Sequence, residues 1–437
     1  MRILFISKEL VAHEIAYRLK LEGHEVKLYI DDATENTYFN NLVAKTDDWK
    51  KEIPWVGKKG LIIFDNTGYG KEQDRLRAEG YVVFGGSEAG ERIELDRHYG
   101  HQIFESAGLN TVALHDFPSI DDASNFIKNN PKRWVLKFTD NLHAKNLMFI
   151  AQDKESDDLL KILEQYSQDA SLRRKTLTLQ EFVDGIEVGV ARYFNGTHWV
   201  GPIEYNVEHT KLFPGNIGPT VDEMGTVAWY AENASEKLYK SVLAPLEKTL
   251  KQANFRGDFG INCIVNKSGV FPLEATARIG CPICHIQTEL HKSPWGEFLY
   301  AIASGQDYAL KYYKDFAVVT VVCVPPFPYS YEDVGVSMQG CGIDMTNVKE
   351  EDWEHIHYDE IAAYSEASSR EIYIAGPDGY LFQVTRRSKT IDKARKKTLE
   401  IIDRIPIPKK FYRNDIGTQF ESQDLHTLKR WGYYATK

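Results

Sequence analysis

The sequence predicts a multidomain protein that joins an α/β unit to α+β units, and three observations carry that expectation. The 437 residues suffice for roughly three domains at about 150 residues each. Residues 1–88 alternate short apolar strands with helical patterns, the grammar of a doubly wound parallel sheet. Past residue 112 the pattern changes to strand pairs closed by Gly-containing turns, which marks antiparallel structure. The expected division is 1–88, 89–315 with a subdomain at about 112–178, and 316–437.

In the first segment Arg2–Ile6 reads as a strand. Glu9–Leu21 reads as an amphipathic helix with Leu10, Ile15 and Leu19 inward, stopped by Gly23. Val26–Ile30, Leu61–Asp65 and Tyr81–Phe84 read as further short strands. Doubly wound units bind ligands at the C-terminal ends of their strands. Those tips are Ser7-Lys8, Asn66-Thr67-Gly68 and Gly85-Gly86-Ser87.

In the second segment Ser119 to Asn129 reads as a helix and Trp134–Phe138 as a strand. Asn195-Gly196 and Lys267-Ser268-Gly269 read as hairpin turns. The third segment begins with an apolar strand at 316–324. Strands at Glu371–Ile374 and Tyr380–Val384 and a helix at about Lys389–Asp403 follow.

Composition is ordinary for a folded soluble protein, at 43% hydrophobic and 27% charged. A net charge of −10 leaves no basic surplus for a general nucleic-acid binder. The basic run from Lys389 to Lys397 reads as the solvated face of a helix. Ile3 to Ile6 is too short for a signal-peptide core, and Phe316 to Val324 is too short to span a membrane. Five cysteines do not make a disulfide framework. The expectation is a cytoplasmic protein, monomer or homodimer, without nucleic-acid or membrane partners.

Residues 256–280, RGDFGINCIVNKSGVFPLEATARIG, carry the densest chemistry. Strands at 259–265 and 270–276 with a Lys267–Gly269 loop put Asn262 opposite Glu274. Period-2 alternation sets Glu274, Thr276 and Arg278 on one face. A carboxylate, two neutral oxygen donors and a cation suit a hard divalent metal and the polyphosphate it carries. The same residues also fit a solvated hairpin face with a Glu274–Arg278 ion pair.

Other constellations are less specific. Lys137 sits in the apolar run Val135-Leu136-Lys137, where it serves either a phosphate or only the surface. LQEFVDGIE at 179–187 ends a strand in carboxylates and a Gly turn. Backbone near Glu181 and Val183 suits a purine edge and Glu187 suits ribose hydroxyls, or the segment is a plain strand–turn–strand. Cys281-Pro282-Ile283-Cys284-His285 formally matches a haem-attachment pattern, but no export signal accompanies it. Redox use would want the pair at a helix start after a strand, within a thioredoxin-like βαβ pattern. Without that context it reads as a loop with two small thiols.

Taken in order, these segments resemble the ATP-grasp ligases, and among them the glycinamide ribonucleotide synthetases (phosphoribosylamine–glycine ligases). The resemblance runs through FGGSEAGERIELDRHYGHQIFESAGLNT at 84–111, WVLKF at 134–138, LQEFVDGIEVGV at 179–190 and EHTKLFPGNIGPTVDEMG at 208–225. It continues through LEATARIGCP at 273–282 and FYRNDIG at 411–417. It implies an ATP-grasp architecture with a lid at about 112–178. It implies an ATP-dependent carboxylate–amine ligase that forms an acyl phosphate and releases ADP and phosphate, with Mg²⁺ or Mn²⁺ as cofactor. Its substrates would be an amino acid such as glycine and an amine, with a place in purine biosynthesis.

By the same resemblance Arg97, Lys137, Lys145, Glu181, Val183 and Glu187 would bind ATP. Glu274, Thr276 and Asn262 would hold metal, and Arg278 and Lys211 would act in catalysis. The chain also departs from that family. The family's Gly-rich loop after the first strand is here Ser7-Lys8-Glu9-Leu10-Val11, and its Gly-rich flap is Asp140-Asn141-Leu142-His143-Ala144-Lys145. Its second metal ligand, Asn, is here Thr276, and its Gly-Asp-Pro-Glu is Gly280-Cys281-Pro282-Ile283. The departures imply altered substrates, with a catalytically silent nucleotide-binding relative or a Cys-based metal or redox protein as alternatives.

Overall fold

The computed structural model describes residues 1–138, 147–232 and 236–434, apart from the side chains of 332 and 333. The chain forms two compact units. One comprises 1–109, 187–263 and 274–437; the other comprises 110–186 and 264–273.

The first unit opens with a parallel sheet of five strands, ordered β3-β2-β1-β4-β5. These are β1 (Arg2–Ser7), β2 (Glu25–Ile30), β3 (Ala44–Lys45), β4 (Leu61–Phe64) and β5 (Val82–Phe84). Ile3, Leu4, Phe5 and Ile6 are all fully buried. A strand covered on both faces is what makes these runs continuously apolar instead of alternating. The helix that follows β1 spans Glu14–Leu21, not the expected Glu9–Leu21. The cause lies in β4's exit: Asp65 Oδ2 accepts from Ser7 Oγ at 2.7 Å and from the Ala12 N–H at 2.9 Å. Those bonds fold residues 8–13 back over the strand tips, and Leu10 takes φ +48°.

The second unit is a four-stranded sheet ordered β6-β9-β7-β8. Its strands are β6 (Leu114–Phe117), β7 (Trp134–Phe138), β8 (Phe149–Ile150) and β9 (Leu177–Glu181). Ser119 caps the helix Ile120–Asn129, its side chain accepting from the Asp122 N–H. That helix and the helix Asp157–Tyr166 pack Ile120, Ile127, Leu159 and Leu163 against Trp134, Leu136, Leu177 and Leu179.

A second sheet of the first unit begins with β10 (Ile186–Asn195) and β11 (Trp199–Glu208). Their hairpin turns at Gly196, φ +92°, as the Asn195-Gly196 signal implies. A separate small hairpin pairs β12 (Lys211–Phe213) with β13 (Ile217–Thr220). The sheet resumes with β14 (Gly225–Ala231), β15 (Arg256–Val265), β16 (Val270–Thr276) and β17 (Phe316–Cys323). After β18 (Gly342–Ile343) come β19 (Ile356–Tyr358), β20 (Ile361–Ser365), β21 (Ser368–Ile374) and β22 (Tyr380–Ser388). The eight-stranded order is β16-β15-β10-β11-β14-β17-β22-β19, and β18-β21-β20 form their own sheet.

β17 pairs antiparallel with β14, from Gly225 opposite Thr320 to Trp229 opposite Phe316. Residues past 316 therefore extend the sheet that precedes them. The division at 88 and 315 stays a proposal about modules within this larger compact unit. The helix Ile391–Arg404, capped by Thr390, matches the expected Lys389–Asp403.

Candidate functional site

In the second unit, alternation along β7 sends Trp134, Leu136 and Phe138 into the helix-covered core. Lys137 therefore belongs to the opposite face. Lys137 pairs with Thr178 of β9, and Thr178 pairs with Asp116 of β6. The three polar residues thus form one row across three strands, tied by the 2.6 Å bond from Thr178 Oγ1 to Asp116 Oδ1. Glu181 ends β9, and both of its carboxylate oxygens lie 3.2 Å from Lys132 Nζ. The Glu181 and Phe182 N–H groups donate to Ala113 and Arg133 carbonyls, and the Arg133 guanidinium lies 3.5 Å from the Phe182 ring centroid. Val183 follows, half-buried. Lys145 falls outside the described residues.

In the first unit the main gathering lies at one end of the eight-stranded sheet, and sequence reasoning missed its centre. Glu208 ends β11 and is half-buried. Both its carboxylate oxygens lie 3.3 Å from Asn262 Nδ2 of β15. Burial and the nearby Glu187 and Glu274 carboxylates push the Glu208 carboxyl up to about 7, against the pull of Asn262 and Arg278. Asn262 thus bonds Glu208, and the Glu274 charge also acts on Glu208. Thr276 ends β16 two residues after Glu274.

Arg278 does not pair with Glu274. Its Nε lies 3.1 Å from Glu94 Oε1, and Glu94 Oε2 also accepts from the Ala277 N–H at 2.6 Å. Glu94 belongs to the helix Glu88–Leu95, and Arg97 opens the next helix, Arg97–Ser106. Among the described residues, Glu187, Glu208 and Glu274 do not bring their ligand atoms within 4.8 Å of one another; only Glu14, His285 and His357 do. That trio is crossed by Arg18, whose Nε lies 2.5 Å from Glu14 and whose Nη2 lies 3.2 Å from His357 Nδ1. A guanidinium in that place makes the trio an ion-pair hub.

Lys211 sits in the small hairpin, where its Nζ donates to Thr220 Oγ1 at 2.8 Å. The hairpin is anchored by FYRNDIG. The buried Arg413 donates to the Lys211 carbonyl at 2.9 Å, and Asp415 Oδ2 accepts from the Gly215 N–H at 2.8 Å. Arg413 and Asp415 are themselves joined by two bonds at 2.8 and 2.9 Å. Gly417 N–H meets His209 Nε2 at 3.0 Å. Distant motifs of the sequence therefore build one support for Lys211.

Within the Cys281–His285 segment, only Cys281 and Pro282 lie in a turn. Cys284 and His285 belong to the first turn of the helix Ile283–Leu290, directly after β16 and its exit turn.

Residues 95–284 match the family described as phosphoribosylglycinamide synthetase, ATP-grasp (A) domain. The chain is 24% identical to the phosphoribosylamine–glycine ligase of Listeria monocytogenes, over 96% of this chain and 100% of that one. It is 23% identical to the enzyme of that name from Halalkalibacterium halodurans, over 87% and 85%. In structure it is similar to the Thermotoga maritima phosphoribosylamine–glycine ligase, with a TM-score of 0.69, 19% identity and coverage of 95% and 100%. It is also similar in fold to the Campylobacter jejuni biotin carboxylase, with a TM-score of 0.62, 12% identity and coverage of 98% of each chain. Among the described residues no helix is long and apolar enough to cross a membrane. The chain therefore has the ATP-grasp fold, and it is similar along most of its length to phosphoribosylamine–glycine ligases and over residues 95–284 to the phosphoribosylglycinamide synthetase ATP-grasp (A) domain.

Proposed function

We propose that this protein uses ATP to activate a small carboxylate as an acyl phosphate and passes the acyl group to an amine, releasing ADP and phosphate. The observation that carries the reading is the gathering of Glu187, Asn262 and Glu274 about Glu208, with Arg278 beside them. Glu208, raised to about 7 by burial and by its two neighbouring carboxylates, marks a place short of positive charge. The donors there are hard oxygens, and Mg²⁺ characteristically takes one or two carboxylates plus phosphate oxygens, not a closed protein cage. A set wider than 4.8 Å suits that division. Glu274 and Glu208 would hold the ion, with Asn262 and Thr276 as neutral donors; bound there, Mg²⁺ or Mn²⁺ would neutralise developing phosphate charge.

The chain's own side chains have separable tasks. Lys137, on the row with Thr178 and Asp116, meets phosphate oxygens. The Glu181 carboxylate is engaged with Lys132, so adenine recognition falls to the backbone at 181–183, and Glu187 takes ribose hydroxyls. Arg97 and Lys145 add positive charge for the nucleotide. Glu94 orients the Arg278 guanidinium, which steadies the phosphoryl group in transfer and then the acyl phosphate. Lys211, braced by Arg413, orients the carboxylate substrate. Little covalent work is left to the protein, and rate comes from positioning and charge.

The substrates differ from phosphoribosylamine and glycine in this reading. Asp65 pins residues 7–12 where the resembled family has a Gly-rich phosphate loop. Lys8 Nζ, the nearest cation by sequence, lies 3.7 Å from Glu9. A buried carboxylate behind that loop opposes an anionic ligand. A phosphate-release screen of amino acids against amines, with phosphoribosylamine generated in place, tests this. Release with a different pair is expected. Efficient turnover of glycine with phosphoribosylamine would overturn the altered-substrate reading, and ATP·Mg²⁺ binding without any turnover would mark a silent relative.

A further inference from the structure

The motif Cys281-Pro282-Ile283-Cys284 has no task in ATP chemistry, yet its surroundings are built for thiolate chemistry. The Cys284 N–H donates to the Gly280 carbonyl at 3.1 Å and the His285 N–H to the Pro282 carbonyl at 3.0 Å. This single turn gathers both thiols and the imidazole at the start of the eight-residue helix Ile283–Leu290. Cys281 is partly exposed, whereas Cys284 is fully buried. Cys284, His285 and Arg278 all act on the Cys281 thiol and favour its thiolate.

His285 is itself supported from behind. It is only 2% exposed, and its Nδ1 lies 3.8 Å from Glu14 Oε2. Glu14 is held by Arg18 and by His357 Nδ1 at 3.3 Å. Burial alone would make a histidine here neutral; the Cys281 and Glu14 charges instead push it up to about 9, so it is an imidazolium at neutral pH. Cys284, His285 and Arg278 hold the Cys281 thiol well below its ordinary range. Burial pushes Cys284 the other way. The fully buried Cys263 and Cys323 are pushed up as well. A low, accessible thiol followed three residues later by a buried, high one, at a helix start, is the arrangement of an attacking and a resolving cysteine.

We propose that Cys281 and Cys284 form a redox-active dithiol that exchanges with low-molecular-weight disulfides such as oxidised glutathione, with His285 as the positioning residue for Cys281. The Cys281 thiolate attacks one sulfur of the small disulfide. That S–S bond breaks, one thiolate leaves, and a mixed disulfide forms on Cys281. Cys284 gives its proton to the departed thiolate and attacks the Cys281 sulfur, forming the internal S–S bond. The second small thiolate leaves and takes the proton that Cys281 had already lost to solvent. The protein is oxidised by two electrons, and one small disulfide is reduced to two thiols.

Both cysteines lie in one tryptic peptide, 279–292, and Cys341 is an exposed thiol that serves as internal reference. The full chain is incubated with oxidised glutathione, quenched in acid, digested without reductant and weighed by mass spectrometry. The expected product is peptide 279–292 lighter by two hydrogens and free of glutathione, with glutathione on Cys341. In Cys284→Ser the same peptide should instead accumulate glutathione on Cys281. A stable glutathione adduct on Cys281 of the wild-type chain, or an unreacted 279–292 peptide beside a modified Cys341, would overturn the proposal. The pH midpoint of Cys281 alkylation should lie well below the ordinary thiol value of about 8.5 and rise by at least about one unit in His285→Gln. An unchanged midpoint would remove His285 from the account. The wild-type mass measurement stands without either variant, so misfolding of a variant does not shield the claim.

Discussion

Two clusters of acids lie on the same strands of the eight-stranded sheet, four residues apart, and they behave oppositely. Glu204 of β11 and Asp258 of β15 are fully enclosed, and the Gln287 amide bridges them at 2.8 and 3.1 Å. Glu208 of β11 and Asn262 of β15 lie four residues further along, half-buried, with Glu187 and Glu274 exposed beside them. Burial, and for Glu204 the neighbouring Asp258, raises both carboxyls of the inner pair; they keep a proton and need nothing from solvent. In the outer set burial, and then the Glu187 and Glu274 charges, raise the Glu208 carboxyl at an open edge, where a cation from solution can relieve the repulsion. A raised carboxyl pKa therefore marks structure in one place and, in our reading, a ligand site in the other. Access to solvent separates the two.

The comparison can be broken by substitution. Glu274→Ala should lower turnover at least about 10²–10³-fold, the scale for losing a group that stabilises transition-state charge, with unchanged circular dichroism. Comparable turnover in the variant would take the metal assignment away from Glu274. Lys137→Ala should lower kcat/KM for ATP by about 10²-fold, and steady-state kinetics at varied ATP should place much of the loss in KM. Arg278→Lys keeps the charge but loses the planar fork aimed by Glu94, so kcat should fall about ten- to a hundredfold.

Smaller effects sharpen the contrast by pH. Glu208 titrates near 7 in the absence of metal, so Mg²⁺ competes with a proton there. Mg²⁺ affinity measured by titration should weaken as pH falls from about 8 to 6, and Glu208→Gln should flatten that dependence. The inner pair predicts a stability effect instead. Both carboxyls are raised in the folded state, so the folded chain binds more protons than the unfolded one above the unfolded values near 4. Their contribution is full below those values and is lost as pH rises through the folded ones. Glu204→Gln should reduce that decline in denaturant melts from pH 5 to 8 while leaving turnover within about twofold. A large loss of activity in that variant would erase the distinction between the clusters.

Much of this was legible in residue order because it rests on local periodicity. The alternation of WVLKF separates Lys137 from the core, and β16 spans the expected 270–276. The turn at Asn195-Gly196 was likewise written in two residues. What stayed hidden depends on contacts far apart in the chain. Glu208 and Glu274 share one end of the sheet across two intervening strands, β10 and β15, an order that residue sequence does not reveal. The Glu94–Arg278 pair bridges 184 positions. The start of the first helix was misplaced because helix periodicity continues back to Glu9, while Asp65, more than fifty residues away, holds residues 8–13 in another path. FYRNDIG was visible as a motif, yet its task of bracing the Lys211 hairpin needed Arg413 and Asp415 in place.

The central claim is that the open end of the sheet, at Glu208, Asn262 and Glu274, holds the metal of ATP·Mg²⁺. Isothermal titration calorimetry of the full chain with a non-hydrolysable ATP analogue, with Mg²⁺ and with chelator in its place, tests it most directly. Saturable one-to-one binding that needs Mg²⁺ and weakens at least about tenfold (about 1.4 kcal/mol) in Glu274→Ala is the predicted result. No binding heat in the wild-type chain, or an affinity indifferent to both Mg²⁺ and Glu274, would contradict it.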